Sequence, residues 1–423
     1  MGLARAWHRI GKKIGAIKVG PDYIDPAFLS IAGRTTCRNL DPWAMRSRTI
    51  NQIYNFTSLN SDILLVEGVM GLFDGASDGT SSTADFASQF NLPILMVVDC
   101  TGVGASIGAI LHGFSSYKEN IKLSGVILNQ VGSKRHENII RRELSSLKIP
   151  ILGVIPKNKE ILLKSRYLGL VQAGEHTALN EIIDKAADLV EAHIDISKIE
   201  DIMNSNPSDC PEVSSSKMSG ISPLSNRIAI AYDSAFSFVY PTLIESWYQA
   251  GACIDFFSPL EDESPNSDAG AIYLPGGYPE LHAGKISTNT KFLNGLKNSA
   301  KRGTIIYGEC GGYMTLGKQI VDEAGIVHEM ANIFPLETNF ARKKLALGYR
   351  EAKVTQDGPL GKSGTTYRGH EFHYSNEILL KNVEPLFDII DASGSPLGNT
   401  GIRIGNIMGS FVHLIDMHNN IQP

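Results

Sequence analysis

Short apolar runs that alternate with helical patterns are the feature that most constrains the fold of this chain. Five runs in the first half are apolar on both faces, which is typical of buried parallel strands: IGAIKV (14–19), DILLVEG (62–68), PILMVVD (93–99), LSGVILN (123–129) and IPILGVI (149–155). Segments with helical spacing lie between them, such as STADFASQF and KRHENIIRRELSSL. This alternation predicts an open parallel α/β sheet, in which ligands bind at the carboxyl ends of the strands.

A change in composition divides the chain into two parts. At 423 residues the chain is too long for one ordinary hydrophobic core. Residues 201–226 are rich in Ser, Pro and Asn and have no apolar period, which predicts a linker. A second α/β pattern begins at RIAIAY (227–232). We therefore predict two domains, 1–200 and 227–423, each a mostly parallel sheet flanked by helices.

Charge and cysteine content exclude several classes of partner. The net charge of −5 provides no electrostatic attraction for nucleic acid or for an anionic membrane surface. The five cysteines are few, odd in number and unclustered, which argues against a disulfide framework or a zinc site and fits a reducing cytoplasm. No segment is typical of a membrane span or a signal peptide. The sequence leaves the assembly state open, a homodimer included.

The stretch YGECGGYM places Cys310 between flexible residues directly after an apolar run. A sharp strand-to-helix turn with glycines around it presents one side chain clear of the backbone. The following helix is expected to lower the pKa of the thiol and to offer N–H groups to an anion. We interpret Cys310 as a nucleophile; the alternative is a buried structural cysteine, which is the commoner fate of this residue.

Two further segments supply what a cysteine needs to attack an amide. YLPGGYPE ends a strand in Gly276 and Gly277, and GSFVHLIDM supplies His413 near the end of the chain. An oxyanion hole and a base are required besides the thiol. We assign the N–H groups of Gly277 and Gly311 to the hole and His413 to the base; alone, a histidine is more often structural.

The series LPGG, GECGG and a late GS-x-x-H resembles the class I glutamine amidotransferases, in the branch found in corrinoid amide synthases. The resemblance implies that Cys310 releases ammonia from glutamine through a thioester. Many class I members carry a Glu two residues after the histidine, whereas Ile415 stands there and Asp416 follows. The residue that orients His413 is therefore not identified. YRGHEFHYS (367–375) also resembles this branch, and we assign it to the shape of the site or to a domain contact.

Carboxylates follow two strands of the first half. Asp22 and Asp25 lie on the Pro-bounded turn of KVGPDYIDPAF, and Glu67 ends the strand of LLVEGVMGLFDG. Carboxylates at strand ends suit Mg²⁺, a hard cation that takes few protein ligands and relies on phosphate oxygens. The structural alternative for each is a solvated strand end or a helix cap.

Both stretches resemble the ATP-dependent amidoligase domain of the corrinoid a,c-diamide synthase family, which is similar to dethiobiotin synthetase. The resemblance covers nearly the whole chain and extends through GRTTCRNLDPWAM (33–45). It implies that Asp22 and Asp25 lie near phosphate or the substrate carboxylate, that Glu67 binds Mg²⁺ and that Asn129 in LNQVGS contacts the nucleotide base. YLGLVQAGEH (167–176) and NFARKKLALGYREA (339–352) resemble the hydrogenobyrinic acid branch more than the cobyrinic acid branch.

The sequence departs from this family at one motif. The family opens with a strand and a P-loop, G-x-x-x-x-G-K-[ST], which holds the triphosphate, and the printed sequence contains no such motif. GLARAWHRIGKKIGAIKVG resembles the segment that follows the P-loop. The fold class implied is therefore a P-loop NTPase-like domain without its first strand and P-loop, followed by a class I glutaminase-like domain. Either the start codon is misassigned or this copy is truncated, in which case we expect synthetase activity to collapse.

The resemblance implies ATP- and glutamine-dependent amidation of the a and c side-chain carboxylates of hydrogenobyrinic or cobyrinic acid, with a corrinoid as substrate. Two alternatives are kept. One is an amidotransferase of the cobyric acid synthase type, which GPDYIDP and the order of the halves disfavour. The other is a glutaminase whose first half is a non-catalytic binding module.

Overall fold

A computed structural model describes residues 1–166, 169–206 and 220–419. Tyr167 and Leu168, which begin one stretch used above, and residues 207–219, inside the predicted linker, lie outside the described residues. Two compact units are formed. Unit 1 comprises Met1–Arg38, Tyr54–Gly75 and Ser81–Glu212, and unit 2 comprises Asn39–Ile53, Ala76–Thr80 and Val213–Pro423. No helix in the described ranges is long and apolar enough to cross a membrane.

The elements of the first part of the chain follow the predicted alternation. The helices are α1 (Gly2–Arg9), α2 (Asp25–Gly33), α3 (Ser47–Leu59), α4 (Thr83–Gln89), α5 (Ile107–Ser116), α6 (Lys134–Leu144), α7 (Leu179–His193) and α8 (Ile196–Ser205), with a 3₁₀ turn at Ala173–Glu175. The strands are β1 (Ile14–Val19), β2 (Cys37–Leu40), β3 (Ile63–Glu67), β4 (Ile94–Asp99), β5 (Leu123–Val131), β6 (Ile151–Pro156), β7 (Ser165–Arg166) and β8 (Gly169–Leu170).

These strands form two parallel three-stranded sheets rather than one continuous sheet. The orders are β2-β1-β3 and β4-β5-β6, and β7 pairs with β8 in a short antiparallel ribbon. β3 and β4 each end a sheet, and their side chains are less covered than those of β1, with Val97 on β4 60% exposed. The five predicted strands are all present, and the predicted α/β class is confirmed.

Helix ends in unit 1 are set by local chemistry. α4 begins at a capping box, in which the Ser82 hydroxyl accepts from the Asp85 N–H and the Asp85 carboxylate accepts from the Ser82 N–H. Ser133 caps α6 by accepting from the His136 N–H. α1 packs on α2 and α7, and its Trp7 is buried in the core of the unit.

The second part of the chain contains more strands than its sequence predicts. Its helices are α9 (Pro241–Gln249), α10 (Ala283–Thr288), α11 (Thr290–Lys301) and α12 (Gly311–Leu316), with 3₁₀ turns at Pro259–Glu261 and Pro279–His282. Its strands are β9 (Arg227–Ala231), β10 (Cys253–Phe257), β11 (Ala271–Leu274), β12 (Ile305–Glu309), β13 (Gln319–Val321), β14 (Val327–Glu329), β15 (Leu336–Asn339), β16 (Ala346–Val354), β17 (Thr366–His373), β18 (Asn376–Leu379), β19 (Phe387–Asp391), β20 (Pro396–Thr400), β21 (Ile402–Ile404), β22 (Ile407–Ser410) and β23 (His413–Asn419).

A six-stranded sheet is the centre of unit 2, in the order β10-β9-β11-β12-β22-β21. Its first five strands are parallel, and β21 is antiparallel to β22. Successive residues of its strands point to opposite faces of the sheet. Ile306 on β12 belongs to the hydrophobic core that includes α11. Tyr307 belongs to the core on the other face, which includes Trp247 of α9 and Leu414. Because both faces of the sheet are buried, its strands are nearly continuous apolar runs.

Two further sheets of unit 2 were not predicted. The sheet of order β20-β19-β16-β17-β23 is antiparallel, and the sheet of order β14-β13-β15-β18 is mixed, because β13 pairs with β15 in parallel. Alternating polar and apolar residues on strands such as β16 and β17, with one face buried, are typical of such sheets. β23 carries His413 as its first residue and pairs it with His370 on β17.

A segment from the first part of the chain, Asn39–Ile53, belongs to unit 2. The Asp416 carboxylate, which is fully buried, accepts hydrogen bonds from the Arg46 guanidinium at 2.7 and 3.1 Å and from the Thr49 hydroxyl at 2.7 Å. The Tyr349 hydroxyl donates to Asp41 at 3.0 Å. These long-range contacts fasten the segment to β23 and β16.

Replacing Arg46 should destabilise unit 2, because the Asp416 carboxylate would stay buried without its cation. We expect Arg46→Ala to lower the free energy of unfolding by about 2–3 kcal/mol, between the values for surface and fully buried pairs, because Arg46 is 35% exposed. Urea unfolding followed by tryptophan fluorescence measures this. The matched control is Arg48→Ala, an exposed arginine of the same segment, expected within about 0.5 kcal/mol of wild type. Equal stability of the two variants would contradict the assignment.

Candidate functional site

Cys310 lies between β12 and α12 in a conformation that L-residues rarely adopt. Its φ is +47° and its ψ is −100°, and its N–H donates to the Ser410 carbonyl at 2.8 Å. Backbone strain of this kind costs about 1–3 kcal/mol and is typical of functional turns. Gly312 allows the turn to approach β11, because a Cβ there would lie 2.0 Å from the Leu274 carbonyl oxygen. The predicted sharp strand-to-helix turn is present.

The two glycines assigned to the oxyanion hole are neighbours. A Cβ placed on Gly311 would lie 3.1 Å from the Gly277 nitrogen. The Gly311 N–H favours the thiolate form and so lowers the pKa of Cys310, although burial raises it by more. Within the described residues, no backbone oxygen accepts from the Gly277 N–H. The Gly277 nitrogen therefore lies beside Gly311, the residue after Cys310, and the oxyanion hole made of these two N–H groups stays a prediction.

His413 lies against the same glycine pair. A Cβ on Gly276 would lie 2.3 Å from the His413 Cε1 atom, so the imidazole packs directly on this backbone. Burial, with the charges of His370 and His373, lowers the pKa of His413 well below its usual value. The imidazole is therefore neutral at pH 7 and able to accept a proton from the thiol.

The thiol differs from the expectation in its pKa. The Cys310 side chain is buried, with 3% of the residue exposed. Burial and the charge of Glu280 raise the pKa of Cys310, despite the hydrogen bond from Gly311. The expected lowering of the thiol pKa by α12 is wrong for this state, because desolvation outweighs the field of a helix of only six residues.

Glu309, the residue before the nucleophile, is a buried carboxylate to which no role was assigned from the sequence. Its Oε2 atom lies 3.8 Å from the His413 Nδ1 atom and accepts from the Tyr273 hydroxyl at 2.8 Å. Its Oε1 atom accepts from the Leu414 N–H at 3.2 Å. Burial raises the pKa of Glu309 to about 7. A single acidic residue in an apolar strand was the signal that could have identified it.

The acidic residue after the histidine has a different task. The Asp416 carboxylate accepts hydrogen bonds from Arg46 and Thr49, as described for the segment Asn39–Ile53. These bonds direct it to that segment and not to His413.

The stretch YRGHEFHYS contains a group of charged side chains. Its Glu371 carboxylate lies 2.8 Å from the Arg350 guanidinium and 3.0 Å from the His373 ring. Glu371 and His373 therefore lie on the same face of β17.

The three candidate carboxylates of unit 1 surround Lys18, a residue to which no role was assigned from the sequence. The Lys18 Nζ atom, on β1, lies 2.6 Å from Asp25, 2.8 Å from Glu67 and 3.5 Å from Asp22. Burial opposes the charge of Lys18, but the charges of Glu67, Asp25 and Asp22 outweigh it and raise its pKa. The three predicted residues are thus brought together.

Asp22 is also a structural residue of its turn. Its Oδ1 atom accepts from the N–H groups of Ile24 and Asp25, at 2.8 and 3.1 Å, which stabilises the start of α2. Burial and the charge of Asp25 raise the pKa of Asp22 to about 6. Its assignment to phosphate or substrate therefore competes with a capping role, which the sequence alone also allows.

The fit of Mg²⁺ to this cluster depends on the donors that Lys18 leaves available. Among the described residues, no group of three or more His, Cys, Asp or Glu side chains is arranged to hold a metal ion. The Lys18 contact uses Oε1 of Glu67, whose side chain is 38% exposed. A carboxylate oxygen of this kind suits Mg²⁺, which binds through one or two carboxylates, water and phosphate. The cluster therefore fits Mg²⁺ with Glu67 as its single protein ligand.

Comparison with known proteins decides the family. Residues 227–421 match the profile described as CobB/CobQ-like glutamine amidotransferase domain, and residues 41–163 match that of an AAA domain. A hydrogenobyrinate a,c-diamide synthase of Brucella abortus biovar 1 (strain 9-941) is 46% identical over 98% of this chain and 94% of the relative. Relatives of the same name from Sinorhizobium sp and Agrobacterium fabrum (strain C58 / ATCC 33970) are 43% and 40% identical, over 99% and 98% of this chain and 95% and 94% of their own lengths. The chain belongs to the hydrogenobyrinate a,c-diamide synthase family.

Membership of the diamide synthase family confirms the resemblance drawn from LPGG, GECGG and GPDYIDP. The chain is thus a member of an amidoligase family that combines a glutamine amidotransferase domain with an ATPase-type domain. Among solved structures, PurLQS from Thermotoga maritima is 17% identical with a TM-score of 0.32, covering 44% of this chain and 86% of that one. That likeness is too low to support an argument.

The assignment of Asn129 to contact with the nucleotide base stays a prediction. Asn129 lies at the carboxyl end of β5, where its side-chain oxygen accepts from the Gln130 N–H at 3.0 Å. Gln130 has a φ of +59°. The Lys18 cluster lies at the carboxyl ends of β1 and β3, which belong to the other sheet of unit 1. Strand ends of this kind are the ordinary place for a ligand in parallel sheets.

The Gly276 contact gives a direct test of the histidine position. We expect Gly276→Ala to reduce glutamine hydrolysis by at least about 100-fold, because the new methyl group would displace the His413 ring. A glutaminase assay measures the loss, and thermal unfolding checks the fold. The matched control is Gly284→Ala, whose methyl group would meet nothing closer than 3.7 Å. A Gly276→Ala enzyme as active as this control would refute the contact.

Proposed function

We propose that this chain catalyses ATP- and glutamine-dependent amidation of the a and c side-chain carboxylates of hydrogenobyrinic acid. Cobyrinic acid is the alternative corrinoid acceptor. The observation that supports the proposal is the contact of His413 with Gly276 and of Gly277 with Gly311, next to Cys310, in a chain 46% identical to a protein named hydrogenobyrinate a,c-diamide synthase. We place the reaction in the cytoplasm, as the few unclustered cysteines predict.

The glutaminase half would release ammonia in two steps. The Cys310 sulfur attacks the amide carbon of glutamine as its proton passes to His413, and the N–H groups of Gly277 and Gly311 stabilise the oxyanion. The C–N bond then breaks, and His413 returns the proton to the leaving ammonia. Water hydrolyses the remaining thioester to glutamate and restores the thiol.

The amidoligase half would activate the acceptor. A carboxylate is a poor electrophile, so the ATP γ-phosphoryl group would be transferred to it, which gives an acyl phosphate and ADP; ammonia would then attack the acyl carbon and phosphate would leave. Asp22 and Asp25 would lie near phosphate or the substrate carboxylate, and Lys18, which contacts both, would neutralise oxygens there. Asn129 would contact the base of ATP. Glu67 would hold Mg²⁺, which offsets phosphate charge during the transfer.

Separate nitrogen sources test the role of the thiol. We expect Cys310→Ser to lower glutamine-dependent amidation by at least about 1000-fold while free ammonia supports the wild-type rate, because only ammonia release needs the sulfur. Amide formation on the corrinoid is followed by mass spectrometry. The control is Cys253→Ser, an exposed free cysteine of unit 2, which should behave as wild type. Glutamine-dependent turnover by Cys310→Ser would exclude Cys310 as nucleophile.

The second half-reaction is tested at Glu67. We expect Glu67→Gln to reduce amidation about 100-fold with either nitrogen source and to raise the Mg²⁺ concentration for half-maximal rate, while glutamine hydrolysis continues. Glu119→Gln, an exposed glutamate of unit 1, is the control. A wild-type chain that hydrolyses glutamine but never consumes ATP would instead support the alternative of a non-catalytic binding module.

A further inference from the structure

A histidine that exchanges protons with a thiol needs a partner on its other ring nitrogen. That partner selects the tautomer and stabilises the imidazolium that forms with the thiolate. The residue two positions after the histidine is Ile415 and is apolar, and Asp416 is bound to Arg46. The carboxylate that faces His413 must therefore come from another part of the chain.

We infer that Glu309 is the positioning residue for His413, an inference that rests on the proposed glutaminase function. Its Oε2 atom lies 3.8 Å from the His413 Nδ1 atom, and both residues are almost fully buried. A distance of this size is longer than a hydrogen bond, and such catalytic contacts commonly shorten when substrate binds. The Nδ1 atom would then face Glu309 and leave Nε2 to exchange the proton with Cys310.

The surroundings of Glu309 hold its carboxylate in place. The Tyr273 hydroxyl donates to Oε2 and the Leu414 N–H donates to Oε1, so the position of the carboxylate is set from β11 and from β23. Leu414 follows His413 directly, so this bond also ties the histidine backbone to the carboxylate. The buried charge would gain a counterion only when His413 becomes protonated, which favours the thiolate–imidazolium pair.

The strand order explains how one strand supplies both groups. Glu309 ends β12 and Cys310 begins the strained turn, while β23 enters from the antiparallel sheet with His413 as its first residue. Placing the carboxylate next to the nucleophile in sequence makes a residue after the histidine unnecessary. Asp416 is then available to bind the segment Asn39–Ile53.

The closing experiment compares Glu309→Gln with wild type in glutamine hydrolysis and in ammonia-dependent amidation. We expect glutamine hydrolysis to fall about 100-fold, because a neutral amide cannot stabilise the imidazolium, while the ammonia-dependent rate is unchanged. The matched control is Glu377→Gln, which also removes a carboxylate, here a partly buried one, that accepts a tyrosine hydroxyl, at 2.6 Å, and should stay within about twofold of wild type. Glu309→Asp, which keeps the charge, should recover part of the loss and serves if the Gln variant is unstable.

Two readouts separate positioning from a structural role. In a double-mutant cycle, Glu309→Gln should add almost nothing to the loss caused by His413→Ala, because one residue acts through the other. The pH range of glutamine hydrolysis should also move to lower pH in Glu309→Gln, since loss of the carboxylate charge lowers the apparent pKa of both the imidazolium and the thiol. The other titratable groups that share this environment are Tyr273, Tyr307, Glu280, Cys310, His370, Glu371, His373 and His413.

The outcomes distinguish this inference from the proposed function. Additive losses in the cycle, or a profile lowered by one factor at every pH, would overturn the positioning role. Full activity of Glu309→Gln in an active wild-type background would overturn it as well and leave the glutaminase function intact. A wild-type chain that hydrolyses no glutamine would overturn both.

Discussion

The close approach of three backbone segments around Cys310 is the constraint on which the rest of the glutaminase site depends. The Gly312 N–H donates to the Pro275 carbonyl at 3.0 Å and the Cys310 N–H donates to Ser410 at 2.8 Å, so the turn is bound to β11 on one side and to β22 on the other. These bonds hold the strained conformation of Cys310. They also bring the Gly276–Gly277 pair to the thiol and to His413.

Buried charges follow one rule in both units. Lys18 is surrounded by three carboxylates, Asp416 has the Arg46 guanidinium, and Glu309 has hydroxyl and N–H donors with an imidazole nearby. An isolated charge in a protein interior is costly, so each is paired or hydrogen-bonded. Glu309 differs because the groups that donate hydrogen bonds to it are neutral. Burial therefore raises its pKa to about 7. A carboxylate in that state responds to the protonation of a neighbouring histidine.

Much of the fold was predictable because the parallel strands are buried on both faces. IGAIKV coincides with β1, and GTIIYGEC contains β12 and the turn. The antiparallel strands were not predicted, since one face of each is polar and the runs are short. At the site, the glycine pair, Cys310 and His413 were identifiable from motifs, whereas Lys18 and Glu309 were not. Each of these two sits inside an apolar strand, and its role depends on groups that are distant in sequence.

The sequence by itself determined the α/β class, the family and the residues that we propose for the amide chemistry, because these depend on local patterns: apolar period, glycine positions and short motifs. Only the tertiary structure decided that the thiol is buried with a raised pKa, since desolvation is a property of the packed interior. It also decided which carboxylate faces His413. Asp416 is closer in sequence, but strand pairing and the Arg46 contact direct it elsewhere, and Glu309 on the neighbouring sheet lies within 3.8 Å.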